Sequence, residues 1–185
     1  MYWPIKPRGN RKIINTYVYH KAFTDEQCNK ILSMLSDKWK DGNVDNVVNQ
    51  QKQVLSADKD GFPFAQITNV VGELNRDWWN FDVTGLNLIT DHPTVYKYSV
   101  DSHFGWHFDF THVEPTRKLG YTIQLSHSSE YEGGSLEFFG NGINEKTRER
   151  GTLILFPSFV WHRVTKVTKG ARIAMVGWIH GPSFQ

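Results

Sequence analysis

In Tyr98-Ser-Val-Asp-Ser-His-Phe-Gly-Trp-His107-Phe-Asp109-Phe an imidazole and a carboxylate stand two residues apart inside a run of aromatic side chains. On a β-strand such a pair faces one way. A neutral imidazole nitrogen and a carboxylate oxygen on one face can hold a first-row transition metal from one side, and a second histidine completes a three-point site. His162 is the candidate. It is delivered at the end of Gly151-Thr-Leu-Ile-Leu-Phe-Pro-Ser-Phe-Val-Trp-His162, which reads as a buried strand stopped by Pro157 and a short turn. With eight histidines a His-x-acid pair also arises by chance, and His112-Val-Glu114 is one. It lies beside Pro115 in a polar stretch, 111–118, that reads as a loop.

Ten residues after His162 comes Arg172. In Ala171-Arg-Ile-Ala-Met-Val-Gly-Trp178, alternation puts Arg172, Ala174, Val176 and Trp178 on one face and Ile173, Met175 and Ile179 on the other. Both faces are apolar, as in a strand covered on two sides. A guanidinium buried there needs an anion, either an internal Asp or Glu or the carboxylate of a bound ligand.

The elements that must carry these groups follow from the rest of the chain. From residue 81 onward, short β-branched and aromatic runs are separated by Gly, Asn, Asp or Pro: 81–83, 86–90, 94–99, 104–109, 119–126, 135–139, 151–156 and 160–180, the last broken at Lys169-Gly170. No strand–helix alternation appears, so antiparallel strands in a sandwich or barrel are expected. Before them, 13–23 reads as a strand, Thr24-Asp-Glu-Gln27 as a capping box opening a helix with Cys28, Ile31, Leu32 and Leu35 on its apolar side, and 64–79 as a second amphipathic helix. Residues 41–50, rich in Asn, Asp and Gly, read as a loop, a connector or a substrate lid, and 1–12 as an extended basic arm. The fold class is therefore mainly β (α+β), with N-terminal helices on one outer face.

At 185 residues the chain suits one domain, with 1–80 as N-terminal strand and helical support and 81–185 as the β core. A net charge of only +2 demands no nucleic-acid or membrane partner. A single cysteine excludes an internal disulfide and suits a reducing compartment, and no apolar run resembles a span or a signal peptide, so the expected location is cytoplasmic.

His107-x-Asp109, His162 with its Phe-Pro-Ser lead-in, and Arg172 together resemble the iron(II)- and 2-oxoglutarate-dependent dioxygenases, most of all the prolyl 4-hydroxylase branch and its short bacterial and phage-type hydroxylases. Tyr131-Glu-Gly-Gly-Ser-Leu136 is similar to that branch's Gly-Gly strand, Tyr98 stands where the family has its motif tyrosine, and Trp178-Ile-His-Gly-Pro182 resembles the family's ending. The resemblance covers residues 94–182. It implies a double-stranded β-helix of the jelly-roll type and Fe(II) at His107, Asp109 and His162, which are also the catalytic residues. It implies 2-oxoglutarate and O2 as co-substrates, with ascorbate a further candidate. The distal carboxylate of 2-oxoglutarate would meet Arg172 and Tyr98, with Gln124 facing the same pocket. Oxidative decarboxylation to succinate and CO2 would drive hydroxylation of an unactivated C–H.

Relatives that act on prolyl peptides use residues matching Arg117, Trp178 and His180, with Phe104 where they carry a tyrosine. The implied substrate is thus a proline-containing peptide or protein. His103, Trp106 and Trp161 would either cradle a pyrrolidine ring or pack at the barrel rim. The alternatives are hydroxylation of a free amino acid or other small molecule, and a non-catalytic metal-binding module of the cupin type. Demethylation of nucleic acid would need a second inward arginine and a nucleotide lid, and neither is seen.

Overall fold

The computed structural model describes residues 16–42, 47–58, 60–87 and 91–184. The basic arm expected at 1–12 and the middle of the 41–50 stretch lie outside them. Strand β1 (Val18–Lys21) leads into helix α1 (Asp25–Ser33), which begins as its sequence requires: the Thr24 hydroxyl accepts from the Gln27 amide at 3.2 Å, and the Gln27 side chain accepts from the Thr24 amide at 2.9 Å. Cys28 and Ile31 point inward from α1 and are fully buried.

Where a loop is expected at 41–50, the chain instead makes β2 (Lys40–Asp41) and β3 (Val47–Val54). The Val-Val-Asn-Gln-Gln-Lys-Gln-Val run of β3 has no apolar alternation, because the strand is held by its backbone ladder to β2 on one side and to the core on the other. Helix α2 (Phe64–Trp78) follows and buries Phe64, Ile67 and Val71.

After α2 come β4 (Gly85–Leu86), β5 (Thr94–His107), β6 (Arg117–Gln124), β7 (Tyr131–Gly133), β8 (Leu136–Phe138), β9 (Thr152–Pro157), β10 (His162–Val164), β11 (Val167–Gly170) and β12 (Arg172–His180). Residues 81–83 form no strand, and the expected pair 94–99 and 104–109 is one continuous strand that stops at His107. All pairings are antiparallel, in the order β1-β9-β6-β12-β5-β10-β8, with β3 also on β5, β4 on β12, and β11 with β7 as a separate ribbon. The result is a jelly roll.

Its corner lies in β5. The first half of that strand pairs with β12 and its end pairs with β10, and between them Asp101 takes a φ of 70°. The neighbouring β3 skips register there, with Gln50 opposite Tyr98 but Val48 opposite His103. Such a bulge bends a strand and raises its twist, which turns the end of β5 away from the large sheet around β9, β6 and β12 and toward β10.

Both helices pack on the outer face of the large sheet, where Cys28, Ile31, Ile67 and Val71 join Leu119, Ile123, Leu153, Leu155, Met175 and Ile179 in one cluster. The other face of β12 is thereby turned inward, as alternation predicts. No helix among the described residues is long and apolar enough to cross a membrane.

Candidate metal centre and its cavity

His107 ends β5, His162 begins β10, and the two are direct cross-strand partners with ring centroids 4.2 Å apart. Each ring is held by backbone. His107 Nδ1 lies 2.8 Å from the Gly105 carbonyl oxygen and His162 Nδ1 lies 2.9 Å from that of Val160. A carbonyl can only accept, so Nδ1 carries the hydrogen and Nε2 of the neutral ring keeps its lone pair. Burial above all, with His162 beside it, lowers the His107 pKa to about 4 against the opposing pull of Asp109, so this imidazole is neutral at neutral pH.

Asp109 reaches the histidines by a route the alternation argument does not describe. The strand has ended, and the amides of Asp109 and Phe110 both donate to the Ser158 carbonyl, at 2.8 and 3.0 Å, so the bend after β10's lead-in strand sets the carboxylate. Its oxygens lie 3.7 Å from His107 Nε2 and 3.8 Å from His162 Nε2. These gaps are too long for hydrogen bonds. The three ligand atoms lie within 4.8 Å of one another, so two neutral imidazoles and a carboxylate converge on one point, a donor set that suits a first-row metal and leaves positions open.

The walls leave no slack. Phe104 stacks on the His107 ring at 3.6 Å, and Phe156 lies 4.6 Å from His162. Behind Asp109 stands Gly120, where a Cβ would sit 2.7 Å from Asp109 Oδ2 and 2.8 Å from the Phe156 ring. Only a residue without a side chain fits.

From this centre a cavity of about 480 Å³, mouth included, runs to Arg172 at the start of β12. Arg172 is 1% exposed. Its Nε donates to Gln124 Oε1 at 3.1 Å, and its buried Nη2 has no hydrogen-bond partner among the described residues. Leaving a guanidinium so is costly, by several kcal/mol for an ion without compensation. An anionic group in the cavity would supply what is missing. Tyr98 is adjacent, its ring 5.3 Å from the guanidinium carbon. Gly134, at a φ of 59° in the Gly-Gly turn after β7, brings the backbone close to the Arg172 stem.

The remaining sequence candidates fall into three places. Trp178 and Phe104 line the cavity with Tyr98 and Arg172. Arg117 and His180 do not. Arg117 makes a two-pronged pair with Asp91, at 2.7 and 2.9 Å, and lies flat against Trp178 at 3.6 Å, while His180 Nε2 is 3.1 Å from the same carboxylate. Asp91 is a hub that no local pattern announces. His103, Trp106 and Trp161 form no cradle around the cavity. Trp106 packs against Phe139 and Arg163, and Trp161 against Phe108, away from the cavity lining.

Sequence reasoning also passes over further residues that line the cavity, among them Gln50, Tyr96, Thr122 and Phe156. Tyr96 and Thr122 had a signal, since each stands two residues before a chosen residue, Tyr98 or Gln124, on the same strand. Burial pushes the Tyr96 phenol up to about 12, so it remains a neutral donor.

Comparison with known proteins agrees with this geometry. A family model described as the 2OG-Fe(II) oxygenase superfamily matches residues 93–180. A PKHD-type hydroxylase of Prochlorococcus marinus (strain MIT 9211) is 30% identical over 175 residues, covering 86% of this chain and 76% of that protein. Another PKHD-type hydroxylase, of Idiomarina loihiensis, is 34% identical over 88 residues, a match that spans 46% of this chain and only 40% of that protein. Among solved structures, a prolyl hydroxylase from Trichoplax adhaerens, in complex with a hypoxia inducible factor oxygen degradation domain peptide fragment, superposes with a TM-score of 0.72 at 16% identity over 90% of this chain and 84% of its own. That likeness is one of fold.

Proposed function

Since this chain belongs to the 2OG-Fe(II) oxygenase superfamily, we propose that it hydroxylates prolyl residues of a peptide or protein at a centre held by His107, Asp109 and His162. The chain is a dioxygenase enzyme of the hydroxylase type, with Fe(II), 2-oxoglutarate and O2 as the reactants its family uses. When bound, iron and co-substrate supply oxidative decarboxylation to succinate and CO2, coupled to insertion of an oxygen atom into a C–H bond.

The chain's own groups do the rest. His107 and His162 offer Nε2 lone pairs because their Nδ1 hydrogens are already engaged. Asp109 contributes charge from a carboxylate that Gly120 leaves room for. Arg172 and Tyr98 take the distal carboxylate of 2-oxoglutarate at the far end of the cavity, and Gln124 aims the guanidinium by occupying its Nε. Phe104, Phe156 and Trp178 keep the space between the two ends apolar and exclude water.

One observation carries this reading: the Nη2 of a fully buried arginine, without a partner among the described residues, across the cavity from a His-Asp-His cluster. A simple metal-storage or cupin-type module has no use for that group. The peptide reading draws on the Trichoplax enzyme, whose structure holds a peptide fragment, and on Trp178, which presents a flat apolar wall stiffened from behind by Arg117.

Anaerobic titration with Fe(II) and 2-oxoglutarate tests the centre through the visible charge-transfer band that chelation of a 2-oxo acid produces. The band is expected in wild type and, for Arg172→Ala, only at far higher co-substrate. No band at any concentration would refute the assignment. Incubation with a proline-rich peptide then tests the substrate, the expected products being a peptide heavier by one oxygen atom and stimulated succinate release.

A further inference from the structure

Strand β3 runs along β5 with Gln50 directly opposite Tyr98, and it buries the Gln50 side chain in the cavity wall, 3% exposed. The Gln50 side chain thus stands in one row with Tyr98 and Arg172 across β3, β5 and β12, all three lining the cavity. Its oxygen end faces Gly42, whose Cβ position would lie 3.3 Å from Oε1, while the Gly42 amide donates to the Gln50 backbone carbonyl at 2.8 Å. Burial pushes the Tyr98 phenol up, and the Arg172 charge and then Gln50 act against that.

A phenol oxygen offers two acceptor sites and one proton. Gln50 on one side and Arg172 on the other can each donate to that oxygen, which leaves the proton to turn into the cavity. We propose that Gln50 is a positioning residue of the co-substrate pocket: it holds Tyr98 as a donor to the distal carboxylate of 2-oxoglutarate, and thereby makes the pocket selective for a 2-oxo diacid. This rests on the assignment of Arg172 and Tyr98 to that carboxylate. It gives the edge strand β3 a role in recognition, and places a site residue outside the 93–180 stretch that the family model matches.

The test is calorimetric binding to the full chain loaded with Mn(II), with two ligands: 2-oxoglutarate, and 2-oxovalerate, which has the same 2-oxo acid end and no second carboxylate. Gln50→Leu is expected to weaken 2-oxoglutarate about tenfold, the worth of one charge-assisted hydrogen bond, and to leave 2-oxovalerate unchanged. In Tyr98→Phe, which lacks the hydroxyl, adding Gln50→Leu should cost nothing more. Gln50→Glu, nearly isosteric, would accept the phenol proton and set a negative charge beside the carboxylate, so it should weaken 2-oxoglutarate more than Gln50→Leu does. Equal weakening of both ligands, a full tenfold effect on the Tyr98→Phe background, or wild-type affinity in Gln50→Glu would each overturn the inference while leaving the proposed function intact. A wild type that takes up Mn(II) but no 2-oxoglutarate would overturn both.

Discussion

The two ends of the cavity are built by different means. At the metal end each group is held by main chain: His107 by the Gly105 carbonyl, His162 by that of Val160, and Asp109 through its own amide on Ser158. At the arginine end the holding is done by side chains, with Gln124 on Arg172 Nε and Gln50 proposed to hold Tyr98 from the facing strand. Backbone partners persist when a neighbouring side chain changes. Side-chain partners do not, so the arginine end is expected to behave as one coupled network and the metal end as independent supports around one ion.

The largest effect should come from the metal end. Replacing His107, Asp109 or His162 by alanine removes one of three ligands, and the charge-transfer band with Fe(II) and 2-oxoglutarate is expected to vanish in each. A band that survives in any of the three would break the claim that they act as one set. Next comes Arg172→Ala, which should raise the dissociation constant for 2-oxoglutarate about a hundredfold while metal affinity, read without co-substrate, stays within about twofold. A comparable loss of metal affinity would show that the two ends are not separable.

Gly120→Ala probes the metal end from behind. Its new methyl group would press on Asp109 Oδ2 and the Phe156 ring, and overpacking of this kind costs about 1–3 kcal/mol. A lowered melting temperature and weaker Fe(II) binding are expected together, and normal metal affinity would mean the carboxylate relaxes freely. Smaller again is Gln124→Leu, expected to weaken 2-oxoglutarate about tenfold and to show non-additivity with Gln50→Leu, since both act on the same pair of donors. Strict additivity would dissolve the coupled network. The control is Thr24→Ala, far from both ends, where loss of the cap on α1 should cost about 1 kcal/mol in denaturant unfolding and leave both affinities unchanged.

Legibility follows the same division. The α1 cap, the extent of α2 and the inward face of β12 were readable because capping boxes and apolar periodicity act within one element. The loop expected at 41–50 was misread because β3 shows polar side chains and is stabilised by its neighbours' backbones, which leaves no mark in its own residues. For His103, Trp106 and Trp161 the sequence left a pyrrolidine cradle and rim packing both open, and the choice fell to contacts between distant segments, Trp106 on Phe139 and Trp161 on Phe108. Asp91, tying Arg117 to His180, was invisible because all three come from separate segments.

By itself the sequence determined which chemical groups are present and which way each strand presents them: two imidazoles and a carboxylate for one ion, and an arginine on an inward apolar face. Only the tertiary structure decided how they meet. The cross-strand register of β5 and β10 pairs the histidines, the Ser158 carbonyl returns Asp109 to them past the end of its strand, and β3 closes the far wall with Gln50. The physical reason is that side-chain direction is a local property of a strand, while register and corner geometry are set by pairing between segments far apart in the chain.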